Sequence, residues 1–137
     1  MIVRTGIDLV EIGRLVDLNP NIKRRFLQRV YTPVELEQAA GSDESLAGLF
    51  AVKEAVSKAL GTGIGWVRWQ DIEVIHAPSG EPLLHLHGNA LQAAAYRGLQ
   101  EWSVSITHSR GQAAAVAVAL GEETPPTALP TTETELG

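Results

Sequence analysis

Four polar side chains stand out by type and setting: Asp8, Glu54, Lys58 and His108. Asp8 lies between Ile7 and Leu9 in an apolar run, an odd place for an acid. Glu54 and Lys58 are one helical turn apart and share a face. His108 follows Thr107 at the end of another apolar run, beside Ser109 and Arg110. Two carboxylates from separate elements suit Mg²⁺, which takes one or two carboxylates and fills its shell with water and substrate phosphates. Lys58 and the backbone amides of a loop carrying Gly61, Gly63 and Gly65 would neutralise phosphate charge. An imidazole at His108 would accept a proton or donate to a phosphate. Each residue also has an ordinary reading. Asp8 would cap a following helix with Glu11 three residues on, Glu54 and Lys58 would form a surface ion pair, and His108 would sit in a turn.

The stretch that must position most of these groups is FAVKEAVSKALGTGIG, residues 50–65, a helix end followed by a glycine-rich loop. At about 100° per residue, Leu46, Leu49, Phe50, Val56 and Leu60 form an apolar arc, with Glu54 and Lys58 outside it. Ala47, Ala51 and Ala55 flank the polar pair and leave room for something to lie against the helix. Lys53 falls inside the arc and needs a buried partner that the sequence does not name.

Upstream, residues 1–10 read as a strand that delivers Asp8. Residues 11–18 read as a helix, and Asn19-Pro20-Asn21 as a turn. A basic helix with apolar Ile22, Phe26, Leu27 and Val30 follows. Thr32-Pro33-Val34-Glu35 is a helix start with a capping box, running to about Ala40, and Ser42 or Asp43 opens the central helix. Downstream come strands at 71–75 and 83–87 joined by a hairpin, a helix over 89–99 capped by Asn89, and strands at 102–107 and 113–120. In the last strand alanines alternate with Val116, Val118 and Leu120, so its alanine face must pack very close to a neighbour. That closeness would suit an axis between subunits or packing within one.

At 137 residues the chain is one domain's length, with no cysteine for disulfides or thiolate metal sites. No run is apolar enough to span a bilayer and no signal-peptide pattern appears, so the expected location is cytoplasmic, with no membrane or nucleic-acid partner. The net charge of −5 is uneven. Residues 122–137 hold four glutamates and no Lys or Arg, whereas residues 14–29 hold five basic residues against Asp17 alone. The basic cluster suits an acidic partner, or is a solvated helical face. The expected architecture is α+β: a single domain over 1–121, with a small, mainly antiparallel sheet packed on a long central helix. An acidic Pro/Thr-rich tail over 122–137 is expected to be disordered. Neither an HExxH zinc pair nor a Walker phosphate loop is present, and His85 and His87 read as surface residues of a strand.

GIDLVEIGR (6–14), the 50–65 stretch, WQDIEV (69–74) and SITHSR (105–110), in this order and spacing, resemble the motifs of holo-acyl-carrier-protein synthases, members of the 4′-phosphopantetheinyl transferases. The resemblance covers residues 1–120. It implies a trimer with coenzyme A in clefts between subunits, and transfer of phosphopantetheine to a carrier-protein serine with release of adenosine 3′,5′-bisphosphate, in fatty acid biosynthesis. It assigns Mg²⁺ to Asp8 and Glu54, and coenzyme A contacts to Lys58, Gly61, Gly63, Thr107 and His108. It makes Glu54, Lys58 and His108 catalytic, with Arg14, Arg24 and Arg25 gripping an acidic helix of the carrier. One departure is Leu49, where such motifs often carry an arginine that holds the nucleotide end. The residues alone leave two rivals open. One is a binding module that docks a carrier or nucleotide without chemistry. The other is a metal-dependent phosphoanhydride hydrolase.

Overall fold

The computed structural model describes residues 1–123. In chain order the elements are β1 (Ile2–Glu11), α1 (Gly13–Val16), α2 (Pro20–Val30), α3 (Pro33–Ala39), α4 (Asp43–Leu60), a 3₁₀ turn (Trp69–Asp71), β2 (Ile72–His76), β3 (Pro82–Leu86), α5 (Gly88–Tyr96), β4 (Leu99–Ser109) and β5 (Gln112–Gly121). β1, β5 and β4 form one antiparallel sheet in that order, and β2 and β3 a separate hairpin. The fold is α+β, with one long helix laid across one face of the larger sheet.

Side-chain alternation explains which face that is. In register, Gly6 opposes Ala117, Arg4 opposes Ala119 and Asp8 opposes Ala115. Ala113, Ala115, Ala117 and Ala119 are all buried, and the α4 residues Ala47, Ala51, Ala55 and Ala59 are fully buried. Small residues on both surfaces allow the helix backbone to sit directly on the strands. At Gly6 even one methyl is excluded, since an added Cβ would lie 1.8 Å from the Ala55 carbonyl oxygen. The alanine face therefore packs inside the subunit rather than at an axis between subunits. The space beside Ala47, Ala51 and Ala55 holds the sheet, not a ligand.

The opposite face of the sheet is open and apolar. Val3, Ile7 and Leu9 are 56, 67 and 60% exposed, with Val116 and Leu120 beside them at 37% each.

The far side of α4 is covered by α3, α5 and β2, with Trp69 of the 3₁₀ turn stacked on Phe50. There Lys53 finds its partner. Its ammonium lies 2.8 Å from Glu35 Oε1, with both side chains fully buried, and donates to the Ile72 and Trp69 carbonyls. Glu35 accepts in turn from the Thr32 and Val74 amides. Burial pushes the Lys53 ammonium below its ordinary pKa, and the Glu35 carboxylate opposes that shift.

Several boundaries differ from the sequence expectation. β1 runs on to Glu11, so α1 shrinks to a single turn. Asn19 caps α2 through Asn21 and Pro20 opens that helix, so the expected turn is a helix start. The Thr32 capping box forms as expected, and Ser42 caps α4. His87, not Asn89, precedes α5; the Asn89 amide instead donates to the Trp66 carbonyl. His108 belongs to β4, and the tight turn falls at Arg110 and Gly111, both at positive φ. The expected disordered tail lies, from residue 124 onward, outside the described residues.

Candidate active site

Between its two packed sides α4 keeps one narrow strip near solvent. From Ala51 to Leu60 only Glu54 and Lys58 are not buried, and Phe50, one turn earlier, is half-buried. β1 borders this strip. Lys58 Nζ donates to the Ile7 carbonyl at 2.9 Å and to Asp8 Oδ1 at 3.3 Å. Its ion pair is therefore with Asp8 across elements, and not with Glu54 along the helix. Asp8 is no cap, because Ile12 occupies the position before α1. Burial, and then the Asp8 carboxylate, raise the Glu54 pKa, against the pull of Lys58. Two carboxylates that repel each other beside one lysine form a donor set with a deficit of positive charge.

Asp8 and Glu54 stand at the head of an open groove of about 440 Å³. Its floor is apolar, from Leu15 and Leu18 to Ile22, Phe26 and Phe50, and Arg14 borders it. Phe26 packs on Phe50 at 5.6 Å, and Phe50 stacks on Trp69 at 4.8 Å, which stiffens that wall. Arg24 and Arg25 lie exposed on α2, Arg24 bonded to Asn21 of its own helix. Lys23 is paired with Asp43 at 2.6 Å and leaves the free basic cluster.

The glycine loop is arranged differently from expectation. Gly61 ends α4 at φ 79°, a conformation that suits a residue without Cβ. The Gly61 amide donates to Lys58 and Ser57, and those of Thr62 and Gly63 donate to Ser57. These amides satisfy the open carbonyls at the helix end. Arg4 and Arg97, which sequence reasoning missed, close the same end. Arg4 Nε donates to the Ala59 carbonyl and Arg97 Nε to that of Leu60 at 2.6 Å. Their contacts span 55 and 37 residues, so no local pattern announces them.

His108 stands apart from the carboxylates. Asp8 is in line with Ala115 and Ile106 across the sheet, and His108 lies two residues beyond Ile106. Strand spacing and rise put the Asp8 and His108 Cα atoms roughly 12 Å apart, with α4 lying over the sheet between the two edges. The His108 Nε2–H donates to the Glu44 carbonyl at 2.9 Å, which leaves Nδ1 to accept in the neutral ring. Thr107 points to the open sheet face, opposite His108. One chain therefore gathers Asp8, Glu54, Lys58 and Arg14, and leaves His108 and Thr107 elsewhere.

A strand and a helix that together offer two carboxylates and a lysine beside a groove, on an antiparallel α+β scaffold, suit a protein that handles phosphate esters. The sequence profile of the 4′-phosphopantetheinyl transferase superfamily matches residues 4–119, and the chain belongs to that superfamily. It is 43% identical over 124 residues to the holo-[acyl-carrier-protein] synthase of Herpetosiphon aurantiacus, covering 85% of this chain and 98% of that one. The synthase of Moorella thermoacetica is 45% identical over 121 residues, covering 85% and 92% of the two chains. Among solved structures, the Helicobacter pylori synthase in complex with coenzyme A is 38% identical with a TM-score of 0.77, covering 85% of this chain and 99% of that one.

Proposed function

We propose that this chain transfers 4′-phosphopantetheine from coenzyme A to a serine of an apo-acyl-carrier protein, and that it does so in the cytoplasm for fatty acid synthesis. The observation that carries the reading is the groove of Asp8, Glu54 and Arg14, where a charged head meets an apolar floor. An acidic amphipathic helix would lay its apolar side on Phe26 and Phe50, set an acid against Arg14, and bring its serine toward the carboxylates. The likeness to synthases named for this carrier supports the same substrate.

In the reaction the serine oxygen forms a bond to the β-phosphorus, and the bridging oxygen to the α-phosphorus leaves as adenosine 3′,5′-bisphosphate. Such chemistry depends mainly on positioning and charge stabilisation. Lys58, anchored on Asp8 and the Ile7 carbonyl, would stabilise charge on the pyrophosphate. Asp8 and Glu54 fit Mg²⁺, because their mutual repulsion calls for a cation and two carboxylates are what this ion needs from protein. When bound, the ion would neutralise pyrophosphate charge. The serine proton would pass to Glu54 in the same chain or to Nδ1 of His108 from a neighbouring one.

A homotrimer fits this geometry. A site needing both His108 and Asp8 would be completed by joining one copy's His108 edge to another's Asp8 edge. That contact is heterologous, and three copies related by a threefold rotation would close it as a ring. The open apolar face of Val3, Ile7, Leu9, Val116 and Leu120 provides surface to bury.

Mass spectrometry of an apo-carrier incubated with this protein, coenzyme A and Mg²⁺ tests the function. One added phosphopantetheine is expected. Hydrolysis of coenzyme A with an unmodified carrier would point to a phosphoanhydride hydrolase, and binding without either product to a docking module. Light scattering of a fully active monomer would exclude the shared site.

A further inference from the structure

The groove at the candidate site carries positive charge that its own fold does not neutralise. Arg14 borders its apolar floor, and Arg25 is exposed on α2, three residues past Ile22 and next to Phe26 of that floor. Lys23 on the same helix is held by Asp43. Among the described residues neither Arg14 nor Arg25 has an ion-pair partner. The floor is uncovered as well, with Ile22 54% exposed. Basic border and bare apolar floor call for a segment that is acidic and apolar together.

The chain itself contains one. Residues 124–137 hold Glu133, Glu135 and Leu136 and no Lys or Arg, and they lie beyond residue 119, where the match to the family ends. Length decides whether those acids reach the groove. Gly121, at the end of β5, pairs with Ile2 at the start of β1, while the groove takes in Leu9 and Val10 near the other end of that strand. At about 3.4 Å per residue, the groove begins about 25 Å from Gly121. Glu133 is twelve residues past Gly121 and Glu135 fourteen, a reach of at most about 40 and 46 Å. Glu122 and Glu123 are too close to β5 to arrive there. The Glu122 amide donates to the Gly98 carbonyl at 3.1 Å, and its carboxylate lies 3.5 Å from the Met1 ammonium.

We propose that residues 133–136 dock in the groove of their own chain, Glu133 and Glu135 against Arg14 and Arg25 and Leu136 on Ile22, and so compete with the carrier for it. The charge-assisted contacts are those an acidic helix would make there. Asp8 and Glu54 repel acids from the head of the groove, which confines the segment to the arginine border. Tethering supplies it at a millimolar effective concentration, so a weak contact suffices. The device is a brake on carrier entry that an acidic carrier of higher affinity displaces. That consequence rests on the proposed transferase reading, whereas the docking does not, and the test separates the two.

Transfer kinetics of the full chain read the brake. Glu133→Gln with Glu135→Gln should lower KM for the carrier about threefold to tenfold, as expected when a tethered segment of sub-millimolar affinity is released, and leave KM for coenzyme A unchanged. Glu122→Gln with Glu123→Gln removes the same charge out of reach of the groove and should change neither. An unchanged carrier KM in the first variant, or an equal fall in the second, would overturn the inference and leave the transferase reading intact. If the wild type and both variants transfer nothing, the transferase reading fails, and disulfide trapping decides the docking. The chain has no cysteine, so Ile22→Cys with Leu136→Cys places a single thiol pair in the full chain. Oxidation by glutathione disulfide should link the two within one chain, seen as a shifted monomer band on a denaturing gel. Leu83→Cys with Leu136→Cys, which uses an exposed leucine of the β2–β3 hairpin, should link far more slowly. Equal rates for the two pairs, or linkage only between chains, would refute it.

Discussion

Replacing Gly6 with alanine is the smallest change that would move the candidate site without touching it. The new Cβ would lie 1.8 Å from the Ala55 carbonyl oxygen, 2.8 Å from its carbon and 3.0 Å from the Ala59 nitrogen. A carbon approaches a carbonyl oxygen comfortably at about 3.3 Å, so helix and strand must part by about 1.5 Å. All three atoms are backbone, and no side-chain rotation relieves them. Asp8 lies two residues past Gly6, Glu54 precedes Ala55, and the Lys58 bond to the Ile7 carbonyl crosses the same seam. Overpacking of this kind costs about 1–3 kcal/mol, a fall of several degrees in Tm for a domain of this size. A displacement of about 1 Å at reacting groups costs about 10²-fold in rate. Thermal melts, with transfer rates measured against Mg²⁺ concentration well below the variant's Tm, separate the two effects. A lowered Tm, a much lower rate and a higher Mg²⁺ requirement are expected. A variant that melts and turns over like wild type would refute the packing argument. One that melts early but turns over normally would show that this seam does not set the carboxylate spacing.

Asp8→Asn and Glu54→Gln should each fold and lose most turnover, with Mg²⁺ binding weakened in calorimetry, since neutral amides are poor ligands for this ion; near-normal rates at limiting Mg²⁺ would remove that residue from the ligand set. Glu35→Gln should cost about 3–5 kcal/mol in urea denaturation by leaving the Lys53 charge buried and unpaired. Adding Lys53→Met should recover part of that loss, and strictly additive losses would mean the pair is not coupled. Arg14→Glu should raise KM for the carrier far more than KM for coenzyme A, with the wild-type rate falling as salt screens charge beyond about 8 Å. An unaltered carrier KM at low salt would return Arg14 to the solvated surface.

Much of this was legible in the residues because it is local. A strand through Asp8, the Thr32 capping box, the helix ending at Gly61 and the polar row of Glu54 and Lys58 depend on neighbours within a few positions, and periodicity records such relations. The ordered motifs also pointed to the family, which the sequence comparisons bear out. What periodicity could not record is which surface meets which. Alternation showed that one face of β5 is alanine, but only the pairing with β1 and β4 put that face under α4 and left the valine face open. Lys53 looked unpartnered because its carboxylate comes from α3, 18 residues away, and its carbonyl partners from beyond the glycine loop. Lys58 looked paired with Glu54 because they share a helix face, yet Asp8 from β1 takes the ammonium. The glycine loop read as a free flexible segment, yet its Gly61 and Gly63 amides bond to carbonyls at the end of α4. A long-range contact leaves no periodic trace in either segment, because its geometry exists only once the sheet has closed against the helix.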